Sequence, residues 1–185
     1  VVGPRIEFLR DTLVAVTGGD LSPEVDGEPA EPWRSFRVSR GSVLGFKGVR
    51  DGMRSYLAVA GGIDVPAVLG SRSTYLSGRI GGLEGRALRA GDVLEVPMVE
   101  ADGLVGRGLP RDLGTPTYAR QEPIRLVLGP QRDAFTDEAI DTLLGSTYSI
   151  ALDSDRMGFR LDGPAIDHSS GADIVSDGTP LGAVQ

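Results

Sequence analysis

This sequence predicts a mostly β fold, on three observations. Glycine takes 27 of 185 positions, about twice the usual share, and it is scattered between short apolar runs with no Gly-X-Y period. That spacing marks frequent tight turns. Several of the runs alternate apolar and polar residues, the period of a half-buried strand. Aromatic residues make up only 5%, so the core must be aliphatic, built from Val, Leu, Ile and Ala. One segment breaks the pattern and reads as the one clear short helix, near residues 136–144.

The elements follow in order. Arg5–Phe8 and Thr12–Thr17 read as two strands with Gly18-Gly19 as their turn, because Val14 and Val16 alternate with Ala15 and Thr17. Residues 21–35 carry Pro23, Gly27, Pro29 and Pro32 among acids, which predicts an exposed loop. Strands are expected at Phe36–Val38, Val43–Phe46 and Arg54–Ala60, the last being the most apolar and so placed centrally. Leu88–Val96 reads as a hairpin turn feeding another strand. Pro and Gly crowd between 97 and 122, which divides the chain. A first β subdomain is expected at 1–100, a linker or long loop at 101–122, and a second β subdomain at 123–185. Ile124–Leu128 should open that second part as a strand. In the helix, Thr136 is a good N-cap, and Asp137 and Glu138 suit its positive end. Phe135 is placed to staple onto Ile140, and Gly145 to stop the helix. Tyr148–Leu152, Gly158–Leu161 and Ile174–Ser176 are the later strands.

Composition narrows the function. The net charge is −7 and no basic stripe occurs, which argues against nucleic acid as a partner. All 19 basic residues except Lys47 are arginine, the better side chain for planar oxyanions. Cysteine is absent, which excludes disulfides and thiolate metal sites. With a single histidine as well, a transition-metal site is not expected. No apolar stretch approaches a membrane-spanning length, and no signal peptide is visible, so a cytoplasmic location is expected. The chain opens at Val1-Val-Gly-Pro-Arg, already inside a strand-like pattern, and reads as a piece of something longer.

Two segments concentrate chemistry. Asp153-Ser-Asp-Arg-Met-Gly-Phe-Arg-Leu-Asp-Gly-Pro164 gathers acids and arginines around Gly158. Arg156 and Arg160 can each fork two hydrogen bonds onto a carboxylate, phosphate or carbamate. Alternation would send Met157, Phe159 and Leu161 to one face and Arg160 to the other. Gly70-Ser-Arg-Ser-Thr74 sets three hydroxyls and Arg72 in a Gly-flanked turn. It could cradle an oxyanion, or simply bond its own backbone. Gly81-Gly-Leu-Glu-Gly85 lacks the Gly-Lys-Ser/Thr ending of a phosphate loop and reads as a turn. Ser176-Asp177-Gly178 places a hydroxyl and a carboxylate at a strand end. His168 lies in a polar loop with no Gly-x-Ser-x-Gly elbow anywhere, so a Ser–His–Asp triad is not expected.

Five words in order carry a family resemblance: GGIDVPAVLGSRSTY from Gly61, GRALRAGDVL from Gly85, IRLVLGPQ from Ile124, SDRMGFRLDGP from Ser154 and IVSDG from Ile174. With them the chain resembles the biotin-dependent carboxyltransferase-related family, often labelled allophanate hydrolase subunit 2. Its members include the C component of bacterial 5-oxoprolinase and the carboxyltransferase region of urea carboxylase. The resemblance implies a cyclophilin-like β-barrel architecture in two subdomains, and a subunit-B-like partner of related fold. It implies an ATP-dependent complex, with a subunit-A-like protein, that opens 5-oxoproline to glutamate; the ATP need not be bound by this chain. Two alternatives go with it: transfer of CO₂ from carboxybiotin to urea or a related amide, or a regulatory interaction subunit without a site of its own. The absence of a Met-Lys biotin carrier dipeptide favours 5-oxoprolinase. Allophanate hydrolysis ranks low, since Lys47 has no neighbouring Ser pair.

The site implied is one cleft. Arg72, Asp155, Arg156 and Arg160 would be catalytic, with Asp155 orienting a guanidinium. Ser71, Ser73, Thr74, Ser176 and Asp177 would bind a small amide substrate. The chain departs from the family pattern at Gly182-Ala-Val-Gln185, where Gly-Ser-x-Gln is usual and a hydroxyl is therefore missing. Family members also begin earlier and continue further.

Overall fold

The computed structural model describes residues 3–110, 112–118, 123–155, 158–171, 173 and 178–184. The chain divides into two compact units, Val1–Glu122 and Pro123–Gln185. The fold is mostly β, with one α-helix among the described residues.

The first unit holds seven strands: β1 (Ile6–Glu7), β2 (Thr12–Asp20), β3 (Pro23–Val25), β4 (Glu28–Pro29), β5 (Ser35–Val38), β6 (Val43–Phe46) and β7 (Asp51–Val59). They form two open sheets, in the orders β1-β6-β3-β4 and β5-β2-β7. Neither closes into a barrel among the described residues. Strand alternation buries the residues that the pattern points inward: Val14 and Val16 are 2% and 1% exposed. They pack with Phe8, Val38, Leu44 and Phe46 in one core cluster.

Three local expectations change. Gly18-Gly19 is not a turn, because β2 runs through it with a register shift between Gly18 and Asp20. Gly18 has φ +83, and a Cβ there would fall 2.4 Å from the Arg54 carbonyl oxygen; the glycine permits a bulge and a close approach. β7 is an edge strand and β2 the central one. The segment expected as an exposed loop at 21–35 contains the β3–β4 hairpin, with Asp26 (φ 54) and Gly27 (φ 90) as its two-residue loop. An Asp-Gly pair supplies the two left-handed conformations that such a loop demands.

The segment expected as linker or long loop is tied into the first unit. Ser35 N–H donates to Arg107 O at 2.7 Å and Gly106 N–H donates to Ser35 O at 2.9 Å. Tyr118 N–H donates to Asp51 Oδ2 at 2.9 Å.

The second unit carries α1 (Asp137–Gly145) and a two-stranded sheet of β8 (Ser149–Ile150) and β9 (Leu161–Asp162). Thr136 caps α1, its Oγ1 accepting from Ala139 N–H at 3.1 Å. Phe135 lies against His168, with ring centroids 4.9 Å apart. The helix ends as Ser146 turns extended, and Gly145 is its last residue without a left-handed φ. Ile124–Leu128 forms no strand. No helix among the described residues is long and apolar enough to cross a membrane.

Candidate functional site

In the first unit, residues 61–92 form a chain of tight turns rather than regular structure. Val68 and Ser71 exchange backbone hydrogen bonds of 2.8 and 3.0 Å. Leu69 (φ 50) and Gly70 (φ 78) lie between them. This puts Ser71–Thr74 at the exit of a left-handed turn. Ser71 Oγ accepts from Ser73 N–H at 3.1 Å, so this hydroxyl bonds its own backbone and keeps one O–H to donate. Arg72 Nε donates to the carbonyl of Val65 at 2.9 Å, and Val65 is buried. Its Nη2 lies 3.7 Å from Asp64 Oδ1. Both side chains are more than half exposed, so the ion pair adds little stability. Its consequence is orientation: the stem is fixed and guanidinium N–H groups remain for an oxyanion.

The glycine turn behind it explains its own composition. Gly81, Gly82 and Gly85 all have positive φ. A Cβ on Gly81 would fall 2.1 Å from Ser73 O, and one on Gly82 would fall 1.9 Å from Thr74 Oγ1. The turn therefore lies directly against Ser73 and Thr74. Two of its amides are engaged locally, with Gly85 N–H donating to Gly81 O at 2.9 Å and Arg86 N–H to Leu83 O at 3.3 Å.

Arg86 closes the segment. It forks onto Asp92 through Nη1–Oδ2 at 2.7 Å and Nη2–Oδ1 at 2.9 Å, while Nε reaches Glu84 Oε2 at 2.9 Å. Arg89 N–H adds a bond to Asp92 Oδ2 at 2.7 Å. The Arg86 hydrogen bonds, and then the Arg89 amide, hold the Asp92 carboxyl down from 3.8 to about 2. The Asp92 hydrogen bond, followed by that of Glu84, raises Arg86. The hairpin expected at Leu88–Val96 is absent, because Asp92 ties 86–92 into a closed turn and 93–100 forms no strand. Sequence reasoning misses both Arg86 and Asp92. They lie in the second family word, but spacing alone does not separate a clip from a surface pair.

In the second unit, the hairpin of β8 and β9 carries the other word. Ala151 N–H donates to Arg160 O at 2.9 Å, and Asp155 N–H to Gly158 O at 3.1 Å. Arg160 N–H donates to Ser154 Oγ at 2.9 Å. The Arg160 guanidinium pairs with Asp153, Nε–Oδ2 being 3.1 Å. Asp153, which sequence reasoning does not single out, is thus the carboxylate that orients Arg160. The strand begins at Leu161 rather than Gly158. Phe159 and Leu161 are both exposed, so the expected alternation buries neither. Arg156, Met157, Ser176 and Asp177, with the strand expected at Ile174–Ser176, lie outside the described residues. His168 is exposed, in keeping with its polar loop. Among the described residues no group of His, Asp and Glu is arranged to hold a metal.

Chemically, the first unit offers a donor loop of Arg72 with the Ser71, Ser73 and Thr74 hydroxyls. The second offers Arg160, anchored on Asp153 and half free. Both suit oxygen atoms on which negative charge develops.

Comparison with known proteins supplies the context. The family model of the carboxyltransferase domain, subdomain A and B, matches residues 1–185. The C component of 5-oxoprolinase from Escherichia coli is 36% identical over 182 residues, covering 97% of this chain and 56% of that protein. Urea amidolyase from Saccharomyces cerevisiae is 36% identical over 170 residues, covering 89% of this chain and 9% of that protein. The crystal structure of Kluyveromyces lactis urea carboxylase superposes with a TM-score of 0.71 at 32% identity, over 90% of this chain and 16% of that one. The chain thus spans about half the length of the one curated relative and a small part of the other.

Proposed function

The chain belongs to the family of the carboxyltransferase domain, subdomain A and B, and on that premise we propose that it serves a 5-oxoprolinase, as part of that enzyme's C component. The observation that carries this reading is the match to the 5-oxoprolinase C component along 97% of the chain. The substrate is a five-membered lactam bearing a carboxylate. Opening it requires donors for the substrate carboxylate and for the oxygen that gains charge as the amide is attacked. Arg72, Arg156 and Arg160 are assigned those roles, with Ser71, Ser73, Thr74, Ser176 and Asp177 binding the lactam. Asp155 is kept as an orienting carboxylate beside Asp153.

ATP is assigned to the assembled complex, and this chain need not be the part that binds it. The glycine turn lacks the Gly-Lys-Ser/Thr ending of a phosphate loop, and two of its amides, those of Gly85 and Arg86, are engaged within it. The partners would be a subunit-B-like protein and a subunit-A-like protein, all cytoplasmic.

The second reading is carboxyl transfer from carboxybiotin to urea or a related amide, supported by the urea amidolyase match. The same guanidiniums would then face a carbamate oxygen. The test uses the full-length protein assembled with both partners. ATP-dependent release of glutamate from 5-oxoproline supports the first reading. Urea carboxylation without glutamate release replaces it by the second. Arg156→Ala should lower turnover by about 2–4 kcal/mol of transition-state stabilisation, the scale of one preorganised donor. Arg156→Lys should restore little, because a point charge cannot reproduce the fork.

A further inference from the structure

An open cleft of about 570 Å³ lies in the first unit, and none of its lining residues belongs to the 61–92 loop. Its volume falls in the range of small-molecule sites. Part of the wall is apolar, from Leu9, Leu13, Met98 and Val99. Its charged lining is three arginines, Arg10, Arg37 and Arg40, and three acids, Asp11, Glu100 and Asp102. The charges balance in number, but the groups do not all pair.

Arg37 and Asp102 form an ion pair and neutralise each other. Arg10 donates to the carbonyl of Val96, which orients the side chain. Asp11 accepts the backbone N–H of Arg40 at 2.8 Å. This bond fixes the Arg40 backbone at the cleft and leaves its guanidinium without a partner among the described residues. Glu100 likewise has none among them. Arg40 and Glu100 line the same cleft yet form no ion pair with each other. Arg10 and Asp11 bond backbone groups only, so their charges are unmatched as well, and the cleft presents unpaired groups of both signs beside its apolar wall. A simple carboxylate would leave the Glu100 charge unanswered, and a simple amine would do the same to Arg40. The complement to unpaired groups of both signs is a zwitterion.

We propose that this cleft binds a free α-amino acid, its carboxylate on the Arg40 guanidinium and its ammonium on Glu100, with an aliphatic side chain against Leu13 and Met98. The proposal does not depend on the 5-oxoprolinase reading, because it uses neither the 61–92 loop nor the second unit.

The test is an NMR titration of the protein with three probes of one carbon skeleton: norvaline, pentanoate, which lacks the ammonium, and butylamine, which lacks the carboxylate. Norvaline should shift the amides of Arg40 and residues 98–102 and bind most tightly. Each single-pole analogue should bind about five- to tenfold more weakly, the scale of one charge-assisted contact in a partly exposed site. Arg40→Gln should weaken norvaline by a similar factor and leave butylamine unchanged, and Glu100→Gln should weaken norvaline and leave pentanoate unchanged. Both positions are exposed, so the fold tolerates either change. Pentanoate binding as tightly as norvaline would overturn the proposal, as would norvaline binding that ignores both substitutions or produces no shift at the cleft.

Discussion

Three glycine substitutions in the first unit separate two costs that the structure assigns to different positions. Gly81 has φ +72, and an added Cβ would stand 2.1 Å from Ser73 O. Gly91 has φ +90 with open space around it. Gly103 has neither a positive φ nor a neighbour within 4 Å. A left-handed conformation costs an L-residue roughly 1–2 kcal/mol, so Gly91→Ala should destabilise by about that much. Forcing a methyl against a fixed backbone carbonyl adds about 1–3 kcal/mol. Gly81→Ala should therefore destabilise by about 2–5 kcal/mol in total. Gly103→Ala pays neither cost and should stabilise by about 0.4–1 kcal/mol through the unfolded chain. The only tryptophan, Trp33, belongs to this unit, so its fluorescence during urea unfolding reports the relevant transition. The expected order of midpoints is Gly103→Ala, wild type, Gly91→Ala, Gly81→Ala. Equal losses for Gly81→Ala and Gly91→Ala would refute the packing of the glycine turn on Ser73, and with it the support that the turn gives the Ser71–Thr74 loop.

Gly82→Ala should displace the Thr74 hydroxyl, since its Cβ would meet Thr74 Oγ1 at 1.9 Å; substrate affinity should fall more than stability predicts, and an unchanged KM would remove Thr74 from the site. Asp92 has its folded pKa depressed from 3.8 to about 2, so its contribution is fully present above pH 3.8 and is lost as pH falls through about 2. An NMR titration of that carboxyl should show the low midpoint, Arg86→Gln should raise it, and a midpoint near 4 in the unaltered protein would contradict the clip. Leu44→Ala removes a side chain that is 0% exposed, and should cost about 2–5 kcal/mol in Trp33-monitored unfolding. Thr136→Ala should cost the second unit about 0.5–2 kcal/mol, visible as faster hydrogen exchange at the Ala139 amide; unchanged exchange would mean the cap contributes nothing.

What the amino-acid order determined alone were the features whose causes lie within a few residues. Val43–Phe46 is a strand at its expected bounds, because its apolar pattern is local. Thr136 caps α1, because an N-cap and its third following amide belong to one turn. The Asp26-Gly27 turn is equally local, and its signal is outweighed by the prolines around it. Tertiary structure decided whatever needed a distant partner. Gly18-Gly19 looks like a turn until β7 pairs alongside and makes it a bulge. The apolar run of β7 suggests a central strand, yet hydrogen bonding places it at an edge. The same division runs through the candidate site. Arginine and hydroxyl content is legible in Gly70–Thr74 and Asp153–Pro164. The anchors are not: Arg72 is fixed by a carbonyl seven residues back, Arg86 by a carboxylate across a closed turn, and Arg160 by Asp153 across a hairpin. A residue type states which bonds a side chain can make, but only the chain's return path brings one partner within reach and keeps the others away.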